Sequence, residues 1–285
     1  MTTATHVPVP VDLRPLRAYR RRRGLLQLLC VAISGFMAIP IYLIAVAAFS
    51  TREGLNQFPQ PLYPANFGTE TMVTFLSSTG ITAGFINSLT VGLGTLLLSS
   101  LVGAPAGYAI ARYVFRGKDS YQLFLLFTRA LPIVVLSVPL ARVFLAAQIY
   151  DRPIAVILLH SALALPTTIL ITSSVFLAVP VDAEEAARIF GCTPVGAFVR
   201  VVLPLALPGM AAASIFTFVM SWNEVLGATI LTFSQRTLPA QVLSSLADSP
   251  LAYRFAGGLV LVIRALIFIA IMRKYLLNMW GTTIR

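Results

Sequence analysis

Glu224 stands inside an apolar run, directly after Ser221, Trp222 and Asn223, and a carboxylate within a membrane must pair with a cation or line a polar path. Arg129, Arg142 and Arg264 also fall in apolar stretches and are its candidate partners. Such a carboxylate either gates a path or ties two helices together, and the residues leave both readings open. Asn87 opens another apolar run, where it is either a hydrogen-bonding group for a solute or a helix cap. Missing patterns narrow the chemistry. No Walker-type phosphate loop occurs, so the chain is expected not to hydrolyse ATP itself. The two histidines, His6 and His160, are far apart, and neither a His-Glu-x-x-His run nor a cysteine pair is present, so no metal site and no intramembrane enzyme is expected. Cys30 and Cys192 fall in a span and in a loop and read as packing residues, not a disulfide.

The elements that must position these residues are membrane spans. Of the 285 residues, 58% are hydrophobic and 11% charged, against roughly 25% charged in soluble domains. Four windows, Gly24–Phe49, Ile86–Ala111, Pro153–Val179 and Leu207–Phe233, exceed the roughly 18–20 apolar residues that cross a bilayer core. The expected class is therefore all-α and polytopic, with six spans near 24–49, 85–111, 120–149, 153–179, 207–233 and 255–277. Residues 1–23 are expected as a flexible tail and 24–285 as one transmembrane domain; Pro8, Pro10 and Pro15 argue against structure over 1–19. Arg20–Arg23 before an apolar run resembles a secretory signal, but the run is too long and lacks a small-residue cleavage site, so it reads as an uncleaved helix. Pro59, Pro61, Pro64, Asn66 and Gly68 make 50–84 a loop. Pro132 and Pro139 interrupt the third span, part of which must face protein or water since it carries Arg129 and Arg142.

The net charge of +11 reads as topology and not as nucleic-acid binding. With the N-terminus in the cytosol, fourteen of the 21 Lys and Arg lie on the inner side and four, Arg52, Arg152, Arg236 and Arg254, on the outer side. That asymmetry predicts both termini inside and places the charged loop 180–206 in the cytosol.

Within this loop Asp182 is expected to cap a short helix, with Glu185 at the reciprocal capping-box position. Ala183, Ala186 and Ala187 favour helix and add little bulk, so this helix can lie close against a partner. Gly191 suits the left-handed residue that ends it. Thr193-Pro194 supplies a second cap and first-turn proline, and a second helix over Pro194–Val202 is expected to stop before Leu203-Pro204.

Glu185-Ala186-Ala187, then Gly191 three residues on, then Val201-Val202-Leu203-Pro204 after nine more, resembles the EAA motif of binding-protein-dependent ABC importer permeases, with Val201 standing for the usual isoleucine. The resemblance implies a type I ABC importer permease fold in a bacterial cytoplasmic (inner) membrane. It makes the first short helix a coupling helix in which Glu185, Ala186, Ala187 and Gly191 meet an ATPase subunit, while Leu203 and Pro204 turn the chain into the next span. The implied partners are a second, homologous permease in a heterodimer, two ATP-binding-cassette ATPases that hold the ATP and Mg2+, and an extracytoplasmic solute-binding protein or lipoprotein. No cofactor is expected on this chain, and no nucleic acid.

Asn87-Ser88-Leu89, Gly107–Arg112 with Phe115–Lys118, and Ser221-Trp222-Asn223-Glu224 resemble the second permease of maltose-type carbohydrate importers. This implies a sugar or sugar-like solute, with Asn87, Trp222, Asn223, Glu224, Arg129 and Arg142 as candidates along the path or gate. Trp222 either stacks on a sugar ring or anchors at the membrane interface. The usual glycine-rich C-terminal ending is replaced by Asn278–Arg285, and the N-terminal tail is longer than usual. Alternatives are a permease for a glycerophosphodiester, polyamine or amino acid, and an ion-coupled secondary transporter using Arg129, Arg142 and Glu224.

Overall fold

The computed structural model describes residues 14–55, 58, 62–63, 66–246 and 249–281. The tail residues 1–13 and the last four residues of the chain lie outside them. Among the described residues the regular elements are all helical, with one isolated bridge between Ser50 and Phe67. In chain order they are α1 (Arg14–Ala48), α2 (Arg52–Leu55), α3 (Glu70–Leu76), α4 (Ile81–Arg112), α5 (Lys118–Thr128), α6 (Ile133–Ala146) and α7 (Pro153–Leu177). There follow α8 (Val181–Ile189), α9 (Pro194–Ala197), a π turn (Phe198–Val202), α10 (Leu203–Asn223), α11 (Leu226–Leu231), α12 (Leu238–Leu246) and α13 (Leu251–Gly281). The all-α expectation holds. Four helical stretches, within α1, α4, α7 and α9–α10, are long and apolar enough to span a membrane, or five if the bent α5–α6 pair is one span. The expected six are thus not all met on this criterion, which covers the described residues only.

Boundaries differ where local chemistry outweighs hydropathy. The first helix is already present at Arg14, the first described residue, ten residues ahead of its apolar run, so 14–23 of the expected flexible tail is helical. The third span is two helices bent by 89°. Pro132 lacks an N–H and disfavours helical geometry in the residue before it, whereas Pro139 is carried inside α6. The second short helix of the loop, expected over Pro194–Val202, does not stop before Leu203-Pro204: α9 runs through the π turn into α10, so the fifth span starts ahead of residue 207. There the Leu203 N–H reaches the Phe198 carbonyl, a longer register that absorbs the donor Pro204 cannot supply. At its other end this helix breaks at Glu224, before α11.

The centre of the bundle is the α4–α7 pair, which approaches closely because small residues face it. A methyl group on Gly107 would lie 2.2 Å from Thr172 Oγ1 and 2.9 Å from the Ser173 nitrogen. The Thr172 hydroxyl donates across this contact to the Gly103 carbonyl at 3.1 Å. Beside it, Ala104, Tyr108, Phe176, Val179, Val202, Ala206 and Met210 form a buried cluster joining α4, α7 and α10 under the 180–204 loop. By contrast, α1 leaves Leu25, Val31, Phe36 and Met37 exposed, an apolar face that hydrocarbon or a neighbouring helix has to cover.

Candidate functional site

The 180–204 loop is a helical hairpin whose ends are set by its own sequence. Pro180, at φ −58° and ψ 131°, turns the chain into α8 two residues before the expected cap. Asp182 therefore lies in the first turn and makes no capping bond, so the Asp182–Glu185 capping box does not form. Its charge still faces the positive helix end. At the far end Gly191 adopts φ +89°. The Gly191 N–H donates to the Arg188 carbonyl and the Cys192 N–H to the Ala187 carbonyl, both at 3.0 Å, which is the Schellman pattern a left-handed glycine permits. Nothing lies within 4 Å of where a Gly191 side chain would begin, so the glycine serves the backbone and not packing. The Thr193 hydroxyl accepts the Gly196 N–H at 3.1 Å and Pro194 opens α9, as the sequence predicts.

Which face of α8 is anchored was not legible in the motif. The buried carboxylate is Glu184, not Glu185. Glu184 accepts the Tyr108 hydroxyl at 2.6 Å and an Arg188 N–H at 3.1 Å, and lies 3.2 Å from Arg112 Nε in an ion pair whose side chains are 7% and 8% exposed. Arg112 also donates to the Val179 carbonyl at 2.8 Å. The hairpin is thereby fastened to the end of α4. Ala187 is buried with Glu184, while Glu185, Ala186 and Gly191 are exposed, and Leu203 and Pro204 lie at the start of α10. Next to the motif Ile189 and Phe190 are 84% and 88% exposed, an apolar tip next to an acidic residue.

Glu224 is not paired with Arg129, Arg142 or Arg264. Its Oε2 lies 2.9 Å from His160 Nε2, while its two carboxylate oxygens accept the N–H groups of Gly227 and Ala228 at 2.9 and 3.2 Å. A side chain thus takes the place of the helical carbonyls and starts α11 just beyond the break. The other ring nitrogen, His160 Nδ1, lies 2.8 Å from Ser221 Oγ, which in turn donates to Thr95 Oγ1 at 3.3 Å. His160 and Thr95 are fully buried, so this four-residue network lies between α4, α7 and α10. Sequence reasoning set His160 aside for want of metal partners. The available signal was that it is an ionisable group within a span, which requires an intramembrane partner.

Arg129 and Arg142 are exposed and form no ion pair among the described residues. Asn87 is not a cap, since it lies in the second turn of α4 and its amide donates to the Arg236 carbonyl at 3.1 Å, holding the chain ahead of α12. Trp222 is buried and not an interfacial anchor. Its ring stacks on Phe218 at 5.1 Å and meets Phe85 edge-on at 5.9 Å, with the Arg264 guanidinium 5.1 Å from its centre. The Asn223 side-chain carbonyl accepts an Arg264 N–H at 3.4 Å. The candidates therefore separate into an anchored hairpin, a buried polar network at the α10 break and an aromatic cavity behind it.

Apolar helices around a buried polar network, with a capped helical hairpin presented between two of them, define a multi-pass membrane transport subunit. Residues 99–277 match the family described as binding-protein-dependent transport system inner membrane component, and the chain belongs to that family. Among its relatives the trehalose transport system permease protein SugB of Mycobacterium tuberculosis is 34% identical over 214 residues, 71% of this chain and 78% of the relative. The diacetylchitobiose uptake system permease protein NgcG of Streptomyces coelicolor is 29% identical, covering 90% of this chain and 86% of the relative. In fold the chain resembles a chain from the crystal structure of a bacterial ABC transporter involved in import of the acidic polysaccharide alginate, with TM-score 0.74, 17% identity and coverage of 94% of this chain and 99% of that one.

Proposed function

We propose that the chain is the transmembrane permease subunit of an ABC importer that moves a sugar or sugar-like solute by alternating access. Its hairpin is the joint to partner ATPases. The single observation that carries the joint is the division of α8 into two faces: Glu184 and Ala187 turn inward to α4, leaving Glu185, Ala186, Ile189 and Phe190 open for a partner. The solute class is supported by similarity to permeases named for trehalose and diacetylchitobiose. The partners are two ATP-binding-cassette ATPases, which hold the ATP and Mg2+, a second homologous permease, and an extracytoplasmic solute-binding protein. This chain carries no cofactor of its own. The excess of Lys and Arg in the segments assigned to the cytosol supports both termini inside the cytoplasmic membrane.

The test replaces Gly191 with Asp, which forces a side chain into a left-handed position. Loss of ATP-driven sugar uptake with retained membrane insertion is the expected result. Uptake and ATPase co-purification both at wild-type levels would refute the joint.

A further inference from the structure

Beside the polar network lies a cavity of about 510 Å³, lined by Phe85, Phe218 and Trp222 together with aliphatic side chains of α3, α12 and α13. Arg264 is the one ionisable side chain in its lining. Its Nε and Nη1, and the indole Nε1 of Trp222, are shielded from solvent and donate to nothing among the described residues. Only one of the guanidinium nitrogens has a partner, the neutral Asn223 carbonyl. Arg264 is half-buried, with its bonded nitrogen on the exposed side, so two of its three guanidinium nitrogens are withdrawn from water with no anion among the described residues to meet them, which is disfavoured. Glu224, the carboxylate nearest in sequence to this cluster, is already taken by His160 and the α11 amides. Every orphaned group is a donor, so whatever satisfies the site must bring acceptor oxygens, and a guanidinium fork selects a carboxylate or similar oxyanion.

Two further observations define the ligand. Arg264 lies 13 residues after the start of α13, about 20 Å along the helix axis at 1.5 Å per residue, too deep for a lipid headgroup at the end of the span. The remaining lining is aromatic and apolar, the surface on which the C–H face of a pyranose ring stacks. Resting on the proposed sugar-permease function, we infer that this cavity is a subsite for an acidic sugar unit of the hexuronate type. Its carboxylate draws the Arg264 guanidinium off the Trp222 ring and its pyranose takes the freed indole face. Arg264 selects for charge and Trp222 for ring shape.

The test measures equilibrium binding of radiolabelled D-glucuronate and D-glucose to the intact transporter in nanodiscs, for the wild type, Arg264→Gln and Arg264→Lys. The wild type is expected to bind glucuronate at least about tenfold more tightly than glucose. Arg264→Gln is expected to abolish that preference and Arg264→Lys to keep part of it. Equal binding of the two sugars by the wild type, or an unchanged preference in Arg264→Gln, would overturn the inference. So would release of the partner permease by Arg264→Gln, which would make a partner's carboxylate the missing acceptor. ATP-driven uptake of neutral sugar with no glucuronate preference would reject the subsite alone. Absence of any ATP-driven sugar uptake would reject the permease reading beneath it.

Discussion

Replacement of Glu184 by Ala separates anchoring of the hairpin from engagement of a partner. Glu184 is 5% exposed and meets Tyr108, Arg112 and Arg188. The Arg188 arm is 43% exposed and, screened by solvent, contributes little. The Arg112 arm is buried, and removing one member of a buried pair leaves the other charge uncompensated, at about 3–5 kcal/mol. Arg112 keeps its bond to the Val179 carbonyl, which favours the lower end. A local loss of about 3 kcal/mol raises the opening population of α8 on the order of a hundredfold. Hydrogen exchange of the Val181–Ile189 amides in the purified protein reads this directly. Glu185→Ala, at an exposed position of the same helix, is expected to leave those amides within about threefold of wild type while impairing uptake. Equal protection in both variants, or faster exchange in Glu185→Ala than in Glu184→Ala, would refute the assignment of the inner face.

Gly107→Ala places a methyl 2.2 Å from Thr172 Oγ1; overpacking of about 1–3 kcal/mol is expected, seen as a lower unfolding temperature, whereas Gly24→Ala, with open space at its side chain, should leave it unchanged or raised. His160→Ala removes one partner from Ser221, which keeps Thr95, and one from Glu224, which keeps the α11 amides; a loss of about 1–3 kcal/mol and faster exchange of the Gly227 and Ala228 amides are expected, and unaltered exchange at both would contradict the network. Asp151 accepts the N–H groups of Phe233, Ser234 and Gln235 at 2.6, 2.8 and 3.1 Å. Burial pushes its pKa up, but these bonds outweigh it and leave the group below its ordinary value. Its contribution to the 232–236 segment is therefore complete above the ordinary carboxylate range and is lost as pH falls through the lowered folded value. Protection at 233–235, taken as exchange relative to the intrinsic rate at each pH, should fall on acidification in the wild type but stay constant with pH in Asp151→Asn.

What the sequence made legible was local. Thr193-Pro194 and Gly191 sit where cap chemistry puts them, because a cap depends on a few neighbouring residues. What stayed hidden depends on contacts across the bundle. His160 and Glu224 are 64 residues apart, and only the packing of α7 against α10 brings them together. Glu184 and Glu185 are adjacent and chemically alike, so the buried one is chosen by the rotation of α8 against Tyr108 and Arg112, which composition does not encode. The break at Glu224 was missed for a related reason. Hydropathy continues across it, and what starts a new helix there is a carboxylate capping the amides of Gly227 and Ala228.

The central claim is that the exposed tip of the 180–204 hairpin docks on a cytosolic ATPase. A cysteine in place of Phe190, which is 88% exposed, in a background where Cys30 and Cys192 are replaced by Ala, tests it by cross-linking in intact membranes. The account predicts a cross-link to the ATPase whose yield changes when ATP is added. Labelling of that cysteine from the external face by a membrane-impermeant maleimide, with no cross-link to an ATPase, would contradict it.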